Sequence, residues 1–244
     1  MAGHSKWANI RHRKAAVDKK RGKIWSKCSR AIMAAARVGG GSPESNLALR
    51  YAIDEARYAN MPKDTIQRAI EKGAGAAGGD NFENVRYEGY GPAGSAIIVE
   101  ALTDNRTRTA GDVRAAFAKY GGNLGATNCV AYAFDSRGQI IIEASAADED
   151  TIMSVAIEAG ALDVQPPEGD DGAWVVLCEP PDFLGVRGAV ESAGIAVLGA
   201  GIVMLPQSGV SLSGEDAERL TRLVDLLEDN DDVQKVYTNA DMVG

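Results

Sequence analysis

Residues 73–80 of this 244-residue chain have the sequence GAGAAGGD, and the hydrophobic pattern changes on either side of them. Glycine-rich runs of this kind interrupt regular structure, so the segment is predicted to be a linker. Before it, apolar residues recur at helical spacing. After it, runs typical of strands occur at residues 85–90, 95–102 and 129–134. The stretch therefore separates an all-helical N-terminal part from a mixed α/β remainder.

The first well-defined helix is predicted over residues 20–38. Ile24, Cys28 and Ile32 fall on one arc of a helical wheel, whereas the lysines and arginines of the same segment fall on another. Three consecutive glycines at residues 39–41 are expected to end it. The segment thus has one face for a core and one face for solvent or a charged partner.

Two further helices complete the predicted N-terminal domain. Ser42 is expected to cap the second, with Pro43 at its first helical position, because these residue types are favoured there. The third is predicted over residues 62–73, opened by proline and closed by glycine.

The remainder predicts two α/β domains, one inserted in the other. Residues 139–205 show the element order β-α-β-β-α-β, which is the ferredoxin-like pattern. The pieces on either side each lack a complete sheet, so we expect them to pair. The predicted class is α+β multidomain, with a basic all-helical domain at 1–76, a discontinuous α/β domain at 80–136 and 206–240, and an inserted ferredoxin-like domain at 137–205.

Positive charge is concentrated at the N-terminal end of an acidic protein. The net charge is −8, yet residues 1–72 hold 16 Lys and Arg against 6 Asp and Glu, a net of +10. Residues 73–244 therefore carry −18. Such asymmetry is typical of a segment that binds a polyanion. The alternative is a solvated basic face without a partner. A membrane surface is disfavoured, because the basic segment lacks large apolar residues.

The candidate nucleic-acid-binding residues are the basic side chains of this segment and one tryptophan. Lysine and arginine neutralise phosphates, and an exposed tryptophan stacks on bases. They are Lys6, Trp7, Arg11, Arg13, Lys14, Lys19, Lys20, Lys23, Lys27 and Arg30. Trp25 lies on the apolar arc of the first helix and is expected to pack in the core.

A second candidate contact is the segment TDNRTRT at residues 103–109. It is predicted to be a loop that places Arg106 and Arg108 before a helix capped by Thr109, with Asp112 three residues on. A helix N-terminus and two arginines together could hold a phosphate. The alternative is a capping loop with exposed arginines.

No enzymatic reaction, cofactor, metal or small-molecule substrate is expected. The chain has two histidines, His4 and His12, both in the basic segment, which leaves no catalytic triad or metal set elsewhere. Residues 73–78 and 89–94 fit the pattern G-x-G-x-x-G, but neither precedes a helix as a dinucleotide-binding loop must. The second is predicted to be a hairpin turn. The acidic clusters of the chain are expected to be solvated turns.

The three cysteines indicate a reducing compartment. Cys28, Cys129 and Cys178 lie far apart, form no C-x-x-C pair and are odd in number. The sequence also lacks the apolar run that a signal peptide or membrane span needs. A cytosolic location is therefore expected.

Several long motifs are similar to the YebC/PmpR family, which includes the mitochondrial translational activator of cytochrome c oxidase. They are AGHSKWANIRHRKAAVDKKRGKIWSK at 2–27, MPKDTIQRAIEKG at 61–73, YEGYGPAGSAIIVEALTDNRTRT at 87–109, and GGNLG at 121–125 followed by FDSRG at 134–138. The resemblance implies a helical domain followed by two α/β domains, and no enzymatic activity.

The resemblance further implies a DNA-binding transcriptional regulator in the cytoplasm. The first alternative is a ribosome-associated translation factor that binds RNA and relieves stalling at sequences such as proline runs. The second is a protein-interaction module that acts through the acidic domains. The basic stripe at residues 20–38 suits phosphates better than base edges, which favours RNA, whereas the family description favours transcription. The sequence leaves DNA and RNA open.

Overall fold

The computed structural model describes residues 21–75, 81–168 and 172–242, and these form a mixed α+β protein. The chain divides into two compact units, Met1–Asp135 with Pro206–Gly244 and Ser136–Leu205. In chain order the elements are α1 (Arg21–Gly39), α2 (Leu47–Tyr58), α3 (Lys63–Ala74), β1 (Glu83–Tyr90), β2 (Ala96–Thr103), α4 (Arg106–Lys119), β3 (Asn123–Leu124), β4 (Phe134–Glu143), α5 (Glu149–Glu158), β5 (Asp163–Gln165), β6 (Ala173–Cys178), α6 (Phe183–Ser192), β7 (Val197–Pro206), β8 (Val210–Leu212), α7 (Gly214–Glu228), β9 (Val233–Thr238) and β10 (Ala240–Met242).

Helices α1, α2 and α3 share one apolar core in the first unit. Its buried members come from all three helices and the turn before α3. They are Ile32, Ala36, Leu49, Ala52, Ile53, Ala56, Met61, Ile66, Ala69 and Ile70. Trp25 and Cys28 pack against this core, as the periodicity of the first helix predicts.

The start of α2 differs from the prediction. Ser42 and Pro43 precede the helix, and Asn46 caps it by accepting a 3.0 Å hydrogen bond from the Leu49 N–H. The same buried side chain donates to the carbonyls of Ala35 and Gly40, both at 2.8 Å. Asparagine can accept and donate at once, so it caps α2 and also binds the end of α1.

Gly73 has a different role from the predicted helix stop. It lies inside α3 and is buried. A Cβ atom at this position would lie 2.5 Å from the carbonyl oxygen of Met33 and 2.8 Å from its Cα. Glycine therefore permits α3 to approach the backbone of α1 closely.

Strands β1 and β2 form the antiparallel hairpin that the sequence predicts. Tyr90 lies opposite Ala96, and the Gly91 N–H donates to the Ser95 carbonyl at 2.7 Å. Gly94, with a φ of 76°, takes the left-handed conformation that favours glycine. The second G-x-G-x-x-G segment is thus a hairpin turn.

The segment after residue 206 completes the sheet of the first unit. Its strand order is β3-β1-β2-β9, and β9 pairs antiparallel with β2, so that Ile98 lies opposite Tyr237. Helices α4 and α7 supply much of the core beside this sheet. The buried members are Ile97, Val99, Val113, Ala116, Phe117, Leu212, Leu220, Leu223, Leu227, Val233 and Ala240.

The start of α4 also differs from the prediction. Asn105 is the N-cap, and its side chain accepts a 3.0 Å hydrogen bond from the Arg108 N–H. Thr109 is fully buried within the helix, where its hydroxyl meets Thr103 Oγ1 at 2.7 Å. Because the cap lies four residues earlier, Arg106 and Arg108 belong to the first turn of α4 and not to a loop.

The second unit has the connection order β-α-β-β-α-β, from β4 to β7. Its sheet order is β5-β6-β4-β7, with β6 antiparallel to both β4 and β5. Ile140, Ile152 and Phe183 are among its fully buried side chains. The strand predicted at 129–134 is wrong: Ala131–Ala133 is a short 3₁₀ helix, and β4 begins only at Phe134.

Candidate nucleic-acid interface

One side of α1 carries three cations that all contact a single acidic segment. Lys23, Lys27 and Arg30, here called the basic face, follow each other at intervals of four and three residues, which places them on one side of the helix. They meet residues 228–232, EDNDD, here called the acidic turn, at the end of α7. The contact joins parts of the first unit that lie about 200 residues apart in sequence.

The two lysines bind both carboxylates and backbone carbonyls of the acidic turn. Lys23 Nζ lies 3.2 Å from Asp229 Oδ1 and 3.9 Å from Asp231 Oδ1, and it also donates to the Asp229 carbonyl. Lys27 Nζ donates to the Glu228 carbonyl at 2.6 Å. The last carbonyls of a helix lack partners within the helix and carry partial negative charge, so lysines at this end are favourable.

Asp232 connects the basic face to the first turn of α4. Its Oδ1 accepts from Arg30 Nη1 at 3.1 Å, and its Oδ2 accepts from Arg108 Nη2 at 2.7 Å. The hydroxyls of Thr109 and Thr103 also donate to Oδ2, at 2.8 Å and 3.3 Å. The carboxylate is buried, with both oxygens hydrogen-bonded.

The environment shifts two pKa values at this contact. Burial by itself raises the pKa of Asp232, but the hydrogen bonds from Arg108 and Thr109 and the charge of Arg30 outweigh it and lower that pKa. Burial lowers the pKa of Lys27 to about 8, and the nearby charge of Glu228 only partly opposes this. The folded state therefore stabilises Asp232 as an anion, whereas keeping Lys27 as a cation costs free energy of folding.

Two other contacts involve the helical segment; the first joins it to β9, and the second lies within it. Lys235 on β9 forms an ion pair with Glu55 on α2. Burial lowers the pKa of Lys235, but the charge of Glu55 raises it above its ordinary value overall. Trp25 Nε1 donates to the Ala59 carbonyl at 3.0 Å, which gives this side chain a structural partner.

The structure brings four of the predicted site residues to the acidic turn. Lys23, Lys27, Arg30 and Arg108 all contact it, whereas Arg106 does not join them in the described contacts. The Arg106 side chain is 65% exposed, and its Nη1 lies 3.7 Å from Glu83 Oε2. The other candidates lie outside the described residues; they are Lys6, Trp7, Arg11, Arg13, Lys14, Lys19 and Lys20.

Sequence reasoning missed the acidic turn as a partner of the basic segment. The signal was present in the opposite charges of the two parts of the chain and in the run EDNDD at 228–232. It also omitted Lys63, Arg68 and Lys72 of α3, which are exposed cations of the same helical segment.

Two further properties concern residues 21–75, 81–168 and 172–242. Within these ranges no three histidine, cysteine, aspartate or glutamate side chains are grouped so as to hold a metal ion. No helix in the same ranges is both long and apolar enough to cross a membrane.

The described fold is that of a mixed α+β protein with a basic helical segment and an acidic remainder. Residues 5–76 match the model of the TACO1/YebC protein N-terminal domain, and residues 82–240 match that of the TACO1/YebC second and third domain. The chain therefore belongs to the TACO1/YebC family, as the resemblance predicted.

Relatives match over almost their full length. The chain is 54% identical over 240 residues to a protein of Cupriavidus taiwanensis named "Probable transcriptional regulatory protein", with 98% of each chain covered. A Burkholderia mallei protein of the same description is 54% identical over 243 residues, which cover 100% of this chain and 99% of the relative. The crystal structure of a conserved hypothetical protein from Aquifex aeolicus matches with a TM-score of 0.87 and 44% identity, over 98% of this chain and 97% of that one.

Proposed function

We propose that this protein is a non-enzymatic, nucleic-acid-binding regulator of gene expression that acts on DNA. The observation that carries the proposal is the charge of residues 1–72, a net of +10 in a chain of net −8. Clustered lysine and arginine bind phosphates because each neutralised phosphate releases condensed counterions. The names of the Cupriavidus and Burkholderia relatives, which call them transcriptional regulatory proteins, support a regulatory role.

The second candidate function is a translation factor that binds structured RNA. Helix α1 contains no asparagine or glutamine, the side chains that read adenine in the major groove. Its cations are suited to phosphates, which are recognised by shape and spacing rather than by base sequence. This composition favours a target defined by structure, as folded RNA is.

Salt dependence tests the polyanion contact. We expect Lys19→Gln with Lys20→Gln to weaken binding to duplex DNA of any sequence and to reduce the slope of log affinity against log salt by up to about 2, or about 0.9 per lost phosphate contact. The matched control is Arg219→Gln with Arg222→Gln, which removes two cations that pair with Glu215 and Glu218 on α7.

The same titration with a folded RNA hairpin separates the two candidate functions. Tighter binding to a promoter duplex than to the hairpin supports transcription, and the reverse order supports the RNA function. A variant slope equal to that of the unchanged protein contradicts a role for Lys19 and Lys20 on either target.

Arg106 and Arg108 form a matched pair for the proposed second contact. Arg106 is exposed at the first position of α4, and Arg108 is bound to Asp232 and to Asp104, both at 2.7 Å. We expect Arg106→Ala to lower nucleic-acid affinity by about threefold without changing the melting temperature, because its one ion pair is weak and exposed. Arg108→Ala is expected to lower the melting temperature. Unchanged affinity of Arg106→Ala would remove α4 from the interface.

A further inference from the structure

We propose that the acidic turn is an intramolecular competitor of nucleic acid, and that Lys23 and Lys27 engage phosphates only after they leave Asp229, Asp231 and the carbonyl of Glu228. This inference rests on the proposed function and adds regulation to it. In the structure, Lys23 and Lys27, which the sequence predicts to bind nucleic acid, instead bind oxygen atoms of the protein itself. We call this arrangement the closed form, and the arrangement in which both lysines have left the acidic turn the open form.

The acidic turn offers these lysines the kind of ligand that a phosphate backbone offers. It presents the carboxylates of Asp229 and Asp231 beside the carbonyls that end α7, so anionic and partly negative oxygens lie together. A lysine ammonium binds carboxylate and phosphate oxygens alike as a point charge. The turn and a nucleic acid therefore compete for the same head groups.

The carboxylate contacts of Lys23 are exposed and therefore able to dissociate. The side chains of Asp229 and Asp231 are 56% and 62% exposed, so water and salt reach these ion pairs. Arg30 also lies 4.0 Å from the exposed Asp231 carboxylate, but its shorter ion pair, at 3.1 Å, is with the buried carboxylate of Asp232, whose side chain is 7% exposed. Opening thus requires Lys23 to leave these exposed carboxylates and Lys27 to break its 2.6 Å hydrogen bond to the Glu228 carbonyl, while the Arg30–Asp232 pair keeps α1 in place.

Lys27 is an unfavourable choice for a purely structural contact. Its pKa falls to about 8 because burial penalises the ammonium more than the surrounding acids stabilise it. A neutral side chain of similar length would meet the same surroundings without that penalty. A buried ammonium that lowers stability at this position is expected if Lys27 binds phosphate in the open form.

The test is a double-mutant cycle on the full chain, with binding to a duplex DNA and a folded RNA hairpin measured at fixed salt. Asp229→Asn with Asp231→Asn should increase affinity by about three- to tenfold, since it weakens two exposed ion pairs. In a Lys23→Gln, Lys27→Gln background the same change should give no gain. The control is Glu215→Gln with Glu218→Gln, which removes two charges from the other end of α7, about 20 Å away along the helix.

The outcomes distinguish a competing turn from a general charge effect and from a permanent interface. The control variant could gain as much affinity as the acidic-turn variant, or the gain in affinity could persist in the Lys23→Gln, Lys27→Gln background. Either result would mean that removal of any negative charge strengthens binding, and it would overturn the proposal. No gain at all, while the unchanged protein binds, would identify a permanent structural interface. If the unchanged protein binds neither nucleic acid, the proposed function itself fails.

Lys27→Met gives an independent readout. We expect it to weaken nucleic-acid binding and to leave the melting temperature unchanged or higher, because it removes a partly buried charge. A fall in melting temperature without loss of affinity would assign Lys27 a structural role and contradict the proposal.

Discussion

In a chain that ends at Asp135, the α/β part is expected not to fold. It retains α4 and strands β1 and β2 but lacks β9, which pairs with β2 along the sheet from Ile97 to Ala101. It also lacks Leu220, Leu223 and Leu227, which are fully buried in the core beside that sheet. Losing these apolar partners removes much of the free energy that stabilises this part of the fold, since one buried leucine contributes about 1.5–3 kcal/mol.

The fragment that ends at Asp135 should be compared with a chain that lacks only the inserted unit. Residues 1–135 would be joined to 206–244 by a short glycine–serine linker. The two ends lie close together: Gln207 N donates to the Ala133 carbonyl at 2.9 Å, and Gln207 Nε2 donates to Asp135 Oδ1 at 2.9 Å. A short linker therefore closes the break with little loss of entropy.

Circular dichroism and urea unfolding measure the outcome. We expect a cooperative transition for the excised chain and another for residues 136–205 alone. For residues 1–135 we expect the strand signal of β1 and β2 to be lost, because only the core shared by α1, α2 and α3 is retained in full. A strand signal and a transition equal to those of the excised chain would contradict the requirement for the C-terminal segment. The insertion of one α/β domain in the other stays a prediction until these three chains are compared.

The periodicity of the sequence predicted most elements, because burial of an apolar stripe or an alternating face is a local signal. Helix α1 and strands β1 and β2 were predicted in this way. The starts of α2 and α4 were wrong for a common reason. Each region offers several residues able to cap a helix, and in both cases an asparagine is the cap.

The sequence predicted the cations of the candidate site but not the acidic residues that they contact. Cations at helical spacing identify a charged face, and the sequence therefore predicted Lys23, Lys27 and Arg30 as one group. Which anion that face meets depends on contacts between residues about 200 positions apart, such as Lys27 with Glu228. Local spacing contains no information on such pairings, so the acidic turn was not identified as a partner of the basic face.

Replacing Asp232 by alanine is expected to be the most destabilising single change at this contact. Asp232 accepts hydrogen bonds from Arg30, Arg108, Thr109 and Thr103, and it lies at the junction of α1, α4 and the strand β9 that follows it. Alanine would leave the two arginines without their shared anion and remove the acceptor of the Thr103 hydroxyl, whereas the Thr109 hydroxyl keeps Thr103 Oγ1 and the Asn105 carbonyl. Removing one partner of a buried ion pair typically costs about 3–5 kcal/mol.

Arg108 is about half exposed and Arg30 about a quarter exposed, so water can solvate their guanidinium groups once the carboxylate is removed. This solvation offsets part of the lost stabilisation. We therefore expect about 3 kcal/mol at pH 7, at the lower end of that range. For a chain of this size, the melting temperature should fall by about 6–12 °C. Asp231→Ala is the matched control; it removes a neighbouring exposed carboxylate and should change stability by less than about 1 kcal/mol.

The pH dependence provides the second test of the same residue. The folded state lowers the pKa of Asp232 below its ordinary value of 3.8, so its contribution is present above that value and is lost as the pH falls through the folded pKa. The difference in unfolding free energy between the unchanged protein and Asp232→Asn should therefore be largest near neutral pH and narrow below pH 4, as urea titrations at several pH values would measure. A difference independent of pH would mean that Asp232 acts through packing and hydrogen bonding alone, because a neutral amide preserves the shape of the carboxylate but not its charge.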